Sequence, residues 1–159
     1  MNGSLDDLRI YNRALSADEI SSLVESNAGP GLVAHWKFDE KSGLLAFDSG
    51  VNSNLGTLVE FEDDDSHWVD GKMGGAISFN GSNYIEVPHD PSIGADLING
   101  FSVSAWFNSK VELAASGKGE PYAGKGNSYF FLQGGGSGGM NFFGEKGWGK
   151  QNSHYRRDH

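Results

Sequence analysis

Leu8 and Ile10 alternate with Asp7, Arg9 and Tyr11, the two-residue period of a strand with one buried face. Shortly afterwards the period lengthens. Ile20, Leu23 and Val24 fall at i, i+3 and i+4, one apolar stripe on a short helix. Ser16-Ala-Asp-Glu19 just ahead fits a capping box, in which the serine hydroxyl accepts from the Glu19 amide and the glutamate reaches back to the Ser16 amide. Asp18 and Glu19 also suit the positive end of the helix dipole. Asn27-Ala-Gly-Pro-Gly31 stops the helix as a turn.

From Leu32 the two-residue period returns. Leu32, Ala34, Trp36 and Phe38 alternate with Val33, His35 and Lys37. Ala76–Phe79 and Tyr84–Val87 flank Asn80-Gly-Ser-Asn83, which predicts a hairpin. Phe101, Val103, Ala105 and Phe107 form one face of a further strand, with Ser102, Ser104 and Trp106 on the other. Tyr129–Gln133 and Met140–Phe143 are shorter candidates on either side of the Gly134–Gly139 run. Many short strands, glycine and asparagine turns and one helix predict an all-β sandwich.

Gly3-Ser-Leu-Asp-Asp-Leu-Arg-Ile-Tyr-Asn-Arg-Ala-Leu-Ser-Ala-Asp-Glu-Ile20 resembles the closing segment of a laminin G-like jelly-roll domain of the concanavalin A-like lectin/glucanase superfamily. Gly31-Leu-Val-Ala-His-Trp-Lys-Phe-Asp-Glu40 resembles the opening strand of another. Asp48-Ser-Gly50, the block from Trp68 to Gly81, Tyr84-Ile-Glu-Val-Pro88 and Phe101-Ser-Val-Ser-Ala-Trp106 continue the pattern in order, to about Phe143. The resemblance implies an antiparallel jelly-roll β-sandwich, incomplete, with one short helix near the N-terminus.

A closing segment ahead of an opening one is the order of a tandem array. Residues 1–27 then belong to the end of a preceding domain, 28–31 to a linker and 32–143 to the first part of a second domain. Residues 144–159 are unassigned, in keeping with a disordered tail. First and last strands lie side by side in the family, so a second arrangement is open: Leu5–Tyr11 folds back beside Val33–Phe38 of its own chain. A sandwich lacking its later strands leaves open edges, an aggregation hazard.

Composition sharpens this division. The 159 residues carry 21 acids against 12 Lys and Arg, a formal charge of −9. Residues 1–116 hold 18 acids and 6 bases, whereas residues 117–159 hold 3 acids, 6 bases and 12 of the 24 glycines. An acidic chain offers no basic face for nucleic acid or an anionic membrane. No apolar run approaches the ~18 residues of a spanning helix, so membrane insertion is not expected. Without cysteine there is no disulfide, zinc-thiolate site or cysteine nucleophile. The N-terminus shows no basic stretch followed by an apolar one, so no secretory signal is read there; an extracellular or cell-surface location is what the resemblance implies.

Candidate chemistry begins with carboxylates. Glu60-Phe-Glu62 has the spacing of acids on one strand face, as in glucan hydrolases of the superfamily, where a retaining pair stands about 5 Å apart. The following Asp63-Asp-Asp65 lacks the alternation, and a solvated acidic loop is the reading preferred. Calcium is the stronger chemistry, because it takes six to eight oxygens and strand ends gather them. Asp6 and Asp7 enter the terminal strand, Asp39 and Glu40 leave the opening strand, and Asp48 stands in the next turn. The family's Asn-Gly-Asp-Gly-Thr turn appears here as Asn52-Ser-Asn-Leu-Gly-Thr57, one acid short. Asp7 is equally read as a surface partner of Arg9 or Arg13, and Asp63–Asp65 as an alternative ion site.

Sugar binding needs aromatic faces for stacking. Trp68 and Trp106 are the candidates, with Trp148 in a glycine-rich stretch, while Trp36 and Phe38 read as core. Trp106 on the polar side of its strand suits a ligand or a covering domain equally. His35, His67 and His89 are too widely spaced for a metal motif and read as surface-strand or loop residues. The expectation is a non-catalytic recognition module binding glycans or extracellular proteins beside neighbouring domains of a longer chain. A glycoside hydrolase and a purely structural spacer are the alternatives.

Overall fold

The computed structural model describes residues 2–23, 29–93, 100–110, 121–125, 130–134, 140–146 and 149–155, the last four stretches as backbone strands. The chain is mostly β-sheet. Its strands are β1 (Asn2–Tyr11), β2 (Leu32–Trp36), β3 (Leu45–Ala46), β4 (Gly56–Val59), β5 (Trp68–Asp70), β6 (Gly75–Asn80), β7 (Tyr84–Glu86) and β8 (Ser102–Ser109). They continue as β9 (Pro121–Lys125), β10 (Phe130–Gly134), β11 (Met140–Lys146) and β12 (Gly149–Tyr155), and the helix is α1 (Ala17–Ser22). No helix among the described residues is long and apolar enough to cross a membrane.

Two compact units result, Ser4–Asn108 and Met1–Gly3 with Ser109–His159. In the second unit β10 pairs antiparallel with β9 and with β11, and β11 with β12. The β10–β11 pair matches the two short strands expected there; Tyr129, Trp148 and the Gly135–Gly139 part of the glycine run lie outside the described residues. β12 falls where the sequence pattern assigns no element. Its residues are polar and carry no alternation, so it is recognisable only from its register with β11, Met140 opposite Tyr155 through Lys146 opposite Gly149.

The first unit holds a sheet in the order β2-β1-β6-β5, with β8 also on β1, and a three-stranded sheet β3-β4-β7. β1 lies antiparallel to β2, with Leu8 opposite Trp36, Arg9 opposite His35 and Ile10 opposite Ala34. The N-terminal strand thus folds back beside the strand that follows the helix. Gly31 O accepts from Asn12 N at 2.9 Å where the two strands separate.

β1 differs from the half-buried strand its alternation predicts. Leu5, Asp6 and Asp7 are buried in succession, and so are Arg9, Ile10 and Tyr11. Asp7 has φ 53, a left-handed conformation that interrupts the pleat and lets neighbouring side chains escape strict alternation. β1 also has strand partners on either side, so its backbone is enclosed in the sheet. Phe38 (φ 60) ends the β2 alternation two residues beyond the strand, and its ring is buried with Trp36, as the core reading expects. Full burial of such side chains stabilises by about 1.5–3 kcal/mol each.

The predicted hairpin at Asn80–Asn83 is not one. β6 pairs with β5 and β1, whereas β7 pairs with β4 in the other sheet. Asn80 Oδ1 accepts from Ser82 N and Asn83 N, and Asn83 Oδ1 accepts from Asn80 N at 2.9 Å. Side chains satisfy the turn amides, so no ladder has to close, and the turn instead carries the chain between sheets.

α1 carries the expected capping box: Glu19 N donates to Ser16 Oγ and Ser16 N to Glu19 Oε2. Its apolar stripe is another matter. Ile20 is exposed and no α1 residue is buried, since six residues give too little helix to reach the core; Val24 lies outside the described residues. Arg13 holds the helix start through a forked contact with both Glu19 oxygens, at 2.8 and 2.5 Å.

Candidate functional site

The five carboxylates singled out at the strand ends are placed close together in part, and each is already engaged. Asp6, next to the left-handed Asp7 in β1, accepts the Lys72 and Met73 amides on Oδ2 at 2.7 and 2.9 Å. Asp39, just past β2, accepts the Gly75 amide at 2.6 Å. The two acids thereby grip the turn between β5 and β6, whose glycines leave room for them: a Cβ on Gly71 would stand 2.7 Å from Asp6 Oδ2. Burial pushes the Asp6 carboxyl above its ordinary value, and the Asp7 and Asp39 charges add to this against the two amide bonds.

Asp48 clamps a second turn. Its Oδ1 accepts from His35 N and Gly50 N, both at 2.7 Å, and its Oδ2 from Asn54 N and Nδ2 at 2.9 and 3.0 Å. Asn52 and Asn54, in the turn that resembles a shortened calcium loop, donate their side-chain amides to Val33 O. Trp36 Nε1 donates to Asn54 O. Glu40 Oε1 accepts from Phe47 N at 2.8 Å. Apart from the Asp48–Gly50 contact, two residues apart, these bonds join positions six or more residues apart.

Asp7 pairs with Arg9, one of the two partners considered from sequence, but in the interior and not at the surface. It lies two positions from Arg9 on β1, and His35 stands opposite Arg9 on β2, so the three share one face. Arg9 is 1% exposed and Asp7 and His35 are buried with it. Asp7 Oδ2 lies 2.9 Å from Arg9 Nη2, and Asp7 Oδ1 lies 2.5 Å from His35 Nε2. Arg9 Nε also lies 3.3 Å from His35 Nε2, and Arg9 Nη1 donates to Leu23 O at the end of the helix. Closed to solvent, this cluster positions backbone rather than substrate.

His35 and His67 depart from the surface reading: both are buried, each with Nε2 against an internal partner, while His67 Nδ1 has none. His67 Nε2 lies 3.1 Å from Gly43 O, and Phe61 packs edge-on against its ring. His89 is exposed. Among the described residues, no group of three or more His, Cys, Asp or Glu side chains is placed to hold one ion. Among the described residues, Asp6 Oδ1 and Glu40 Oε2 are buried carboxylate oxygens without a hydrogen-bond partner.

The two tryptophans separate. Trp68, half-buried, spends its indole N–H on Gly43 O at 2.9 Å and tilts against His67. Trp106 is 37% exposed on β8, with Lys72 Nζ 5.8 Å from its ring centroid. Lys72 was not singled out by sequence, yet Asp6 fixes its backbone and so sets the base of its side chain. Glu60 and Glu62 lie beyond the end of β4 in an exposed loop, and Glu60 has φ 60. The same-face arrangement considered for a hydrolase needs extended backbone, which Glu60 does not have.

Comparison with family models, with curated proteins and with solved structures finds no match to this chain.

Proposed function

We propose that the chain is a non-catalytic extracellular recognition module, part of a larger multidomain protein, built as an incomplete laminin G-like jelly-roll sandwich. Its ligand is a glycan or an extracellular protein, and Trp106 is the contact. The observation that carries this reading is the exposed Trp106 ring with Lys72 Nζ over it: an aromatic surface and a cation for a hydroxyl or carboxylate at one spot. The commitment of Asp6, Asp7, Asp39, Glu40 and Asp48 to N–H donors supports a binding role over hydrolysis, since a catalytic carboxylate must be free to reach substrate.

Calcium belongs to the proposal as the ion the acidic strand ends would take. Asp6 Oδ1 and Glu40 Oε2 are the oxygens it would draw on first, and Asp7 and Asp48 would have to give up donors they now hold.

Glycan-array binding of the full chain, with Ca²⁺ and with chelator, tests both parts. A set of glycans bound by the native chain and lost in Trp106→Ala, with unchanged melting, is the expected result. No binding in either condition, or binding indifferent to Trp106, overturns the site. A melting temperature and binding unaffected by chelator removes calcium from the reading and leaves the rest.

A further inference from the structure

β3, β4 and β7 send alternate side chains to opposite sides. Ala46, Gly56 and Leu58 are buried, while Leu45, Thr57, Tyr84 and Glu86 are exposed. The registers put Leu45 opposite Thr57, Thr57 opposite Glu86 and Val59 opposite Tyr84, so these form continuous rows on the outward face. Phe47 and Leu55 stand at the next positions of the same parity. Phe47 is 57% exposed, Tyr84 48%, and Leu45 and Leu55 39% each. Large apolar side chains gathered on one exposed face mark an interaction surface more often than chance scatter does.

Charge decides what covers it. β3, β4 and β7 contain no Lys or Arg. Glu86 lies on the face, Glu60 follows Val59, and Glu62, Asp63, Asp64 and Asp65 are exposed in the next loop. That loop is fixed beside the start of β3, where Gly43 N donates to Asp65 Oδ1 at 2.7 Å. Lys41, also exposed, is the nearest base in the sequence leading into β3. A second copy of the chain would bring the same acids and another formal −9 against them. An acidic glycan meets the same repulsion.

We infer that the outward face of β3-β4-β7 docks a cationic polypeptide segment whose apolar side chains alternate with Lys or Arg. Leu45, Phe47, Leu55 and Tyr84 take the apolar side chains, and Glu60, Glu86 and the acidic loop take the charges. This surface is separate from Trp106, and the two stand or fall independently.

The test is fluorescence anisotropy of the full chain with a labelled alternating Leu-Lys peptide and its Leu-Ser and Leu-Glu counterparts. The Leu-Lys peptide is expected to bind at least about tenfold more tightly than Leu-Ser, and Leu-Glu not at all. The double variants Phe47→Gln/Tyr84→Gln and Glu60→Lys/Glu86→Lys each weaken binding by at least about tenfold. Asp18→Lys, on the helix, leaves it unchanged. All of these positions are exposed, and circular dichroism melts confirm that the variants fold. Equal weakening by Asp18→Lys, or insensitivity to loss of Phe47 and Tyr84, reduces the binding to general charge attraction and overturns the inference. So does a concentration-dependent dimer in which the Phe47→Gln/Tyr84→Gln variant is monomeric.

Discussion

Asp7 Oδ1 and His35 Nε2 meet at 2.5 Å across the β1–β2 pair, although the residues are 28 apart in sequence. The contact exists because Asp7 turns into the left-handed region and β2 returns antiparallel to β1. Arg9 completes the group and reaches the end of the helix, so one buried acid organises two strands and a connection.

Removing that acid leaves a buried guanidinium uncompensated, which costs about 3–5 kcal/mol. Asp7→Asn is the informative change, because asparagine tolerates left-handed backbone and the loss is then one of charge alone. A urea midpoint lowered in Asp7→Asn and partly restored in Asp7→Asn/Arg9→Met is the expected outcome. An unchanged midpoint in the single variant would show that the pair does not hold the strands.

Asp6 and Glu19 give opposite pH responses. Glu19, held by Arg13 first and by the Ser16 amide next, titrates at about 2 instead of 4.5. Its contribution is present above 4.5 and lost as pH falls through about 2. Asp6 is raised by burial above its ordinary 3.8, so its contribution is full below 3.8 and lost as pH rises through the raised value. Thermal melts across acid pH should show Glu19→Gln with a shallower acid loss than the native chain. Asp6→Asn keeps an oxygen for the Lys72 and Met73 amides, and it should equal or exceed native stability at pH 7 while falling behind on acidification.

Gly71→Ala should destabilise by at least about 2 kcal/mol, because the added carbon meets the Gly75 carbonyl and Asp6 Oδ2, neither of which can withdraw. Gly43→Ala has nothing within 4 Å of its new carbon, but its φ is +80. Its cost should be the conformational one, about 1–2 kcal/mol. Urea denaturation of the two variants separates crowding from backbone strain; equal losses would contradict the close approach at Gly71.

Asp48→Ala strips the acceptor from three backbone amides and one side-chain amide at once. A loss of about 3 kcal/mol or more is expected, with Asp48→Asn intermediate because one oxygen remains. Hydrogen exchange at the His35, Gly50 and Asn54 amides should accelerate together in the alanine variant. Acceleration at one amide only would show that the turn is held by something else.

Local chemistry was legible from sequence where the interaction is local. The Ser16–Glu19 box spans four residues and forms as expected, and β2 and β8 are strands where their alternation predicts them, although β2 is buried on both faces from Val33 to Trp36. Asn80-Gly81 correctly marks a turn, but the sequence pattern says nothing about which sheet receives the strand after it. That choice rests on β7 meeting β4, which local residues do not encode. The acids at the strand ends stand out in the sequence as candidate calcium ligands. Their partners, however, are amides of the Gly71–Gly75 and Ser49–Asn54 turns, and a backbone N–H leaves no mark in composition. Likewise nothing in Asp7 itself announces its left-handed backbone, and so the burial of both faces of β1 was out of reach.

The middle place of β1 has a consequence for the order in which the chain becomes stable during synthesis. β1 leaves the ribosome ahead of β2, β6 and β8, yet it takes partners from all three. β8 follows it by roughly 90 residues, so at about 5–20 residues per second the strand waits on the order of 5–20 s for its final neighbour. Through that interval its buried acid, its arginine and its open backbone must remain soluble together, which gives the acidic character of the front of the chain a use before any ligand is met.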